Sequence, residues 1–184
     1  MTRLSHIWML QGLCTLLLIV LAPIAHADPD YDTLSGPARA IDADTLEFGF
    51  KRIDLWGADA MNRFQKCRVN NQSTACGAEA WQVTANLLLA TPIRCEVRGK
   101  SRYHRNMAVC RNANGVDIGQ SLIGRGMAVA RTKQMPEYGP VEDRARQART
   151  GIWAGEFIDP LKWRIGDRLP EHEVIIHRWQ HDAD

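Results

Sequence analysis

Residues 38–60 read ARAIDADTLEFGFKRIDLWGADA, and the fold turns on how that stretch divides. Three short runs in it have β-type composition: Ala38 to Ile41, Thr45 to Phe50, and Arg52 to Trp56. In the third, Ile53 and Leu55 point one way while Arg52, Asp54 and Trp56 point the other, the period-two pattern of a half-buried strand. Gly49 and the turn around Phe50-Lys51 join the last two runs as a hairpin. Two acidic motifs mark the strand junctions, Asp42-Ala43-Asp44-Thr45 and Leu55-Trp56-Gly57-Ala58-Asp59-Ala60, and they bring Asp44 and Asp59 toward one rim. Paired carboxylates with backbone carbonyls are the ligand set of Ca²⁺. Asx residues also cap strand ends and turns with no further role, so each motif alone leaves both readings open.

Downstream of this stretch, residues 61–75 are polar and Asn-rich and lie around Cys67 and Cys76, which reads as a loop held by a disulfide. From Gly77 to Ala90 the apolar spacing is helical and is closed by Pro92. Strands return at Ile93–Arg98 and Met107–Arg111, with Arg102-Tyr103-His104-Arg105 at the tip between them, where cations meet a phosphate well. A turn at Asn112–Gly115, a helix over Ile118–Arg125, a strand over Met127–Ala130 and a third helix from about Pro140 to Thr150 complete the pattern. Arg144, Arg146 and Arg149 read as the solvated face of that helix. The expected fold is mainly β with helices: a five-stranded, partly open barrel of the oligonucleotide- and oligosaccharide-binding (OB) type, packed by three helices.

The ends of the chain read differently. Arg3, an apolar run from Leu13 to Leu21, Pro23 and the small residues of Ala25-His26-Ala27 form a secretory signal peptide over residues 1–27, cleaved after Ala27. The run is well short of the roughly 18–20 residues that span a bilayer, so no membrane span is expected in the mature chain. Residues 28–34 read as a loose leader, 35–164 as the domain and 165–184 as a tail. His177 and His181 in that tail have i, i+4 spacing, a weak basis for a metal site. Cleavage leaves 22 basic against 21 acidic residues, which excludes a protein that coats nucleic acid by bulk charge. It also removes Cys14 and leaves four cysteines, Cys67, Cys76, Cys95 and Cys110. An even count in an oxidising compartment reads as two disulfides with three possible connectivities, of which spacing favours Cys67–Cys76 and Cys95–Cys110. A four-cysteine zinc site lacks any CxxC pair. A secreted or periplasmic monomer is expected.

Over residues 35–164 the order of these motifs resembles the thermonuclease, or staphylococcal nuclease-like, family. Asp42-Ala43-Asp44-Thr45 is similar to its Asp-Gly-Asp-Thr, and Arg52 to Ala60 is similar to its Arg-Ile-Arg-Leu-x-Gly-Ile-Asp-Ala. Cys76-Gly77-x-x-Ala80, Arg102-Tyr103-His104-Arg105, Gly126–Ala130, the Tyr138–Arg149 segment and Gly151–Gly155 follow in the family's order. The resemblance implies Ca²⁺-dependent hydrolysis of DNA and RNA phosphodiesters. It places the metal ligands at Asp44 and Asp59, a catalytic arginine at Arg105 and terminal-phosphate contacts at Arg102 and Tyr103. The second arginine falls on Asp54, the general-base glutamate on Asn62, and an aromatic position on Arg131. An amide cannot accept the proton, and losing a general base costs about 10²–10⁴ in rate. Asp54 sets a repulsive charge beside the phosphate, on the order of 4 kcal/mol at about 4 Å and an effective dielectric near 20.

Two functions follow. In the first, the chain is an envelope binding or accessory protein with lost or much reduced phosphodiesterase activity, for example in cell-surface polysaccharide production. Its ligand is a nucleic acid, another anionic polymer or a polysaccharide, and Asp44, Asp54 and Asp59 form a three-carboxylate Ca²⁺ site. In the second, it is an active nuclease in which Arg52, two residues away on the same strand face, substitutes for the missing arginine.

Overall fold

The computed structural model describes residues 32–170. The signal segment, residues 28–31 and the tail histidines His172, His177 and His181 lie outside the described residues. The described chain runs through β1 (Thr33–Gly36), β2 (Arg39–Asp42), β3 (Thr45–Phe48), β4 (Lys51–Leu55), β5 (Ala58–Ala60), β6 (Cys67–Val69) and β7 (Gln72–Thr74). It continues through α1 (Cys76–Leu87), β8 (Ile93–Lys100), β9 (Asn106–Arg111), α2 (Ile118–Gly124), β10 (Ala128–Ala130), α3 (Gly139–Gln147), β11 (Gly155–Glu156) and α4 (Pro160–Arg164).

Six strands form one sheet in the order β1-β8-β9-β4-β3-β2. The pairs are antiparallel except β4 with β9, which run parallel. The β3–β4 hairpin closes through Gly49-Phe50, with Gly49 at φ 59°, a value a glycine adopts without strain. Its register sets Leu46 against Ile53 and Thr45 against Asp54. Leu46, Ile53 and Leu55 therefore fall on the buried face, while Thr45, Glu47, Arg52 and Asp54 share the other. The core gathers around these strands and Met61, Ile93, Ile118, Leu122, Ile123 and Ile152.

The sequence reading differs from this structure in four places. The stretch expected to be a leader carries β1, which pairs with β8 because Leu34 alternates with polar neighbours along a free sheet edge. The expected loop at 61–75 contains the β6–β7 hairpin, widened to three strands by β11. Asn70 and Asn71, both at positive φ (50° and 61°), make the tight turn that polar composition concealed. Among the described residues there are four α-helices rather than three, since α4 follows Asp159-Pro160, an N-cap and a proline at the first helical position. Beyond α4, Leu169 is buried, so packed structure continues past residue 164. Both disulfides have the favoured pairing, Cys67–Cys76 and Cys95–Cys110. The latter joins directly opposed positions of β8 and β9. Among the described residues no helix is long and apolar enough to cross a membrane.

Candidate functional site

The rim anticipated from the two acidic motifs forms where the β2–β3 turn meets β5. The buried Thr84 of α1 donates its hydroxyl to the Ala43 carbonyl at 2.7 Å and fixes that turn. The N–H of Leu55 donates to the Asp44 carbonyl at 2.8 Å. The Asp44 carboxylate accepts the Ala60 N–H at 3.1 Å, which brings it against β5 and Asp59. Burial, with the negative charges of Asp59 and Asp42 beside it, pushes Asp44 up to about 7. Two of the three expected metal carboxylates are thus together.

Asp59 already has cations of its own. Arg164 of α4 grips it as a fork, Nη1 to Oδ1 at 2.9 Å and Nη2 to Oδ2 at 3.0 Å. Arg131, just past β10, adds a second guanidinium, its Nε 2.9 Å from Oδ2 and its Nη2 on the same oxygen. Arg131 also reaches Asp159 through Nη1 at 3.3 Å and Nη2 at 3.2 Å. Asp159 in turn caps α4 by accepting the Leu161 N–H at 2.9 Å. Burial acts to raise the Asp159 carboxyl, but hydrogen bonds from Arg131 and its charge hold it below the usual range.

The third carboxylate faces elsewhere. Asp54 accepts the Thr45 hydroxyl at 3.1 Å and lies 3.1 Å from Arg105 Nε. Burial raises its carboxyl, and the Arg105 charge opposes that rise. That contact is an ion pair rather than an aligned hydrogen bond, since Arg105 Nε finds no acceptor in good geometry. The residue standing where the resemblance puts one arginine is therefore paired with the other. Arg52 does not reach over: its Nε pairs with Glu47 at 3.2 Å, and Arg39 shares that carboxylate. Arg102 and Tyr103 cap the β8–β9 hairpin, with the Arg102 guanidinium 4.8 Å from a largely exposed Tyr103 ring. A cavity of about 580 Å³ beside them is lined by Phe50, Lys51, Arg52, His104 and Arg105.

Asn62, at the general-base position, is part of the scaffold. Its amide donates to Pro160 O at 3.3 Å, and Gln65 Nε2 donates to Ile158 O at 2.6 Å. Gln65 Oε1 accepts both the Asn62 main-chain N–H and the Asn62 side-chain amide, at 3.3 and 3.4 Å. Only glycine fits at position 77, because a Cβ there would fall 1.7 Å from the Asn62 carbonyl. The Asn62–Gln65 turn thus anchors the segment that delivers Arg164 to Asp59.

The chain matches the family described as "Staphylococcal nuclease homologue" over residues 52–155. It belongs to the staphylococcal nuclease family. Over 138 residues it is 34% identical to the succinoglycan biosynthesis protein ExoI of Rhizobium meliloti (strain 1021), covering 73% of this chain and 72% of that protein. Membership makes the fold the OB-fold, and the family's chemistry is generally calcium-dependent. The residues of this staphylococcal nuclease homologue do not fit a calcium ion at Asp59. Both carboxylate oxygens there are engaged by guanidiniums, and a divalent cation would sit against two fixed positive charges. Among the described residues no group of three or more His, Cys, Asp or Glu is arranged to hold a metal. The sequence reading noted Arg131 only as a lost aromatic and missed Arg164 and Asp159. The Asp159-Pro160 helix start was the signal available for Asp159.

Proposed function

We propose that this protein is an exported, catalytically silent member of the staphylococcal nuclease family that acts as a binding or accessory component in making a cell-surface polysaccharide. The observation that carries the reading is the double arginine clamp on Asp59, which puts internal cations where the family's reaction uses a divalent one. Asn62 as a scaffold amide and Asp54 as the partner of Arg105 support it. The signal-peptide pattern of residues 1–27 and the two disulfides favour a secreted or periplasmic location. A relative named for succinoglycan biosynthesis favours the polysaccharide setting. The competing reading, a Ca²⁺-dependent nuclease using Arg52, requires that side chain to leave Glu47 and Asp59 to shed both arginines.

The test is hydrolysis of single-stranded DNA with and without Ca²⁺. The wild-type chain is expected to show no turnover, and Asp54→Arg/Asn62→Glu is expected to remain inactive until Arg131→Ala and Arg164→Ala are both added. Ca²⁺-dependent turnover by the wild-type chain that Asp44→Ala abolishes would overturn the proposal.

A further inference from the structure

A cleft of about 430 Å³ lies between β10, α3 and the chain from Trp153 to Asp167, on the outer side of the Arg131 clamp. We infer that this cleft binds a pyranose unit of a polysaccharide. The inference rests on the polysaccharide reading above and supplies its site.

The lining is mixed in sign. Arg131, Arg146 and Lys162 stand with Glu142, Asp159 and Asp167 around one space. A phosphate-rich polymer would meet three carboxylates there and is disfavoured. A hydroxyl donates to a carboxylate and accepts from a guanidinium or ammonium, so a ligand rich in hydroxyls can satisfy both signs at once. The apolar part of the lining combines Val129, Ala130 and Ile158 with two aromatic rings, Trp153 and Phe157, packed edge to face with centroids 5.0 Å apart. Flat C–H faces pack against such rings, and a pyranose presents C–H faces together with hydroxyl edges.

The walls are held in place before any ligand arrives. The buried Glu142 accepts the Ala130 N–H at 2.9 Å and pairs with Arg146 at 3.1 Å. Arg146 lies 3.7 Å over the Trp153 ring, and Arg131 is fixed by Asp59 and Asp159. Binding to such fixed groups loses little to ordering them. Lys162 is exposed at the cleft edge, placed to receive an acidic substituent on the sugar.

Calorimetric titration of the mature chain with succinoglycan oligosaccharides tests the inference, with a single-stranded oligodeoxynucleotide as the second titrant. The oligosaccharide is expected to bind, and Phe157→Ala and Lys162→Ala are each expected to weaken it at least fivefold. Phe50→Ala at the other cavity is expected to leave it unchanged. Circular dichroism confirms that each variant is folded. Oligosaccharide affinity that ignores Phe157→Ala and Lys162→Ala, or that is lost with Phe50→Ala, overturns this site and leaves the accessory reading standing. No oligosaccharide binding, or a preference of the cleft for the oligonucleotide, also overturns it. Nuclease turnover in the assay above would instead remove the reading on which it rests.

Discussion

The Asp59 corner and the Arg105 corner of the rim have been altered by the same logic to different depths. Each holds one side chain that the resemblance places in the family's reaction, and each gives it an opposite charge from within the chain. At Asp59 the partners come from 72 and 105 residues away, and the carboxylate is nearly buried, with a side-chain exposure of 11%. At Arg105 a single carboxylate, Asp54, sits on the neighbouring strand β4; its side chain is 14% exposed, and the pair makes no aligned hydrogen bond. The Asp59 side is therefore closed by two guanidiniums, whereas the Arg105 side is biased by one ion pair. The two corners differ in the number of their internal partners more than in their burial.

The largest effect should come from breaking the deeper corner. Arg131→Ala/Arg164→Ala leaves Asp59 buried beside Asp44 with no cation. Removing the partners of a buried charge typically costs about 3–5 kcal/mol, so a fall of that size in unfolding free energy is expected in urea titrations. Millimolar Ca²⁺ should then raise the melting temperature of the double variant and leave that of the wild-type chain unmoved. A double variant within about 1 kcal/mol of wild type would show that the clamp is a surface pair in energetic terms.

A pH titration probes the same corner more gently. Because burial and its acidic neighbours push Asp44 up to about 7, the folded state holds a proton that the unfolded chain has released. The stability this group contributes is fully present below its unfolded value, near 4, and is lost as the pH rises through about 7. Thermal melts should therefore drop between pH 5 and pH 8. Asp44→Asn, which retains an oxygen for the Ala60 N–H, should flatten that slope. An unchanged slope in Asp44→Asn would place the proton elsewhere.

The two corners were unequally legible in the sequence. The hairpin of β3 and β4 announced itself through alternation and Gly49, and the pairing of Cys95 with Cys110 followed from the flanking strands. Asp44 and Asp59 were found because each sits in a short motif at a strand end. The replacement of an arginine by Asp54 was visible, but its pairing with Arg105 was not, since the parallel register of β4 and β9 makes that contact. Arg164 carried no local signal for its role: a five-residue helix near the end of the domain gives no periodicity to read. Its importance arises only when the Asn62–Gln65 turn binds Ile158 and Pro160 and swings α4 over Asp59. The β6–β7 hairpin stayed hidden for a different reason, because strands of three residues do not complete an alternation.

The smallest effect belongs to the shallower corner. Arg105→Ala removes the partner of Asp54, but Thr45 still donates to that carboxylate and solvent reaches the vacated side. A partly exposed pair of this kind contributes about 0.2–1 kcal/mol, so the urea midpoint should shift only slightly. Asp54→Asn keeps an acceptor for the Thr45 hydroxyl and frees the guanidinium, and its cost should be equally small. It should also increase retention of the chain on a phosphate-bearing resin at low salt, with the gain vanishing as salt rises. Wild-type retention equal to that of Asp54→Asn would mean that Asp54 does not mask Arg105. A cost for Arg105→Ala as large as that of the double arginine variant would abolish the distinction between the corners, because both carboxylates would then depend on their guanidiniums to the same degree.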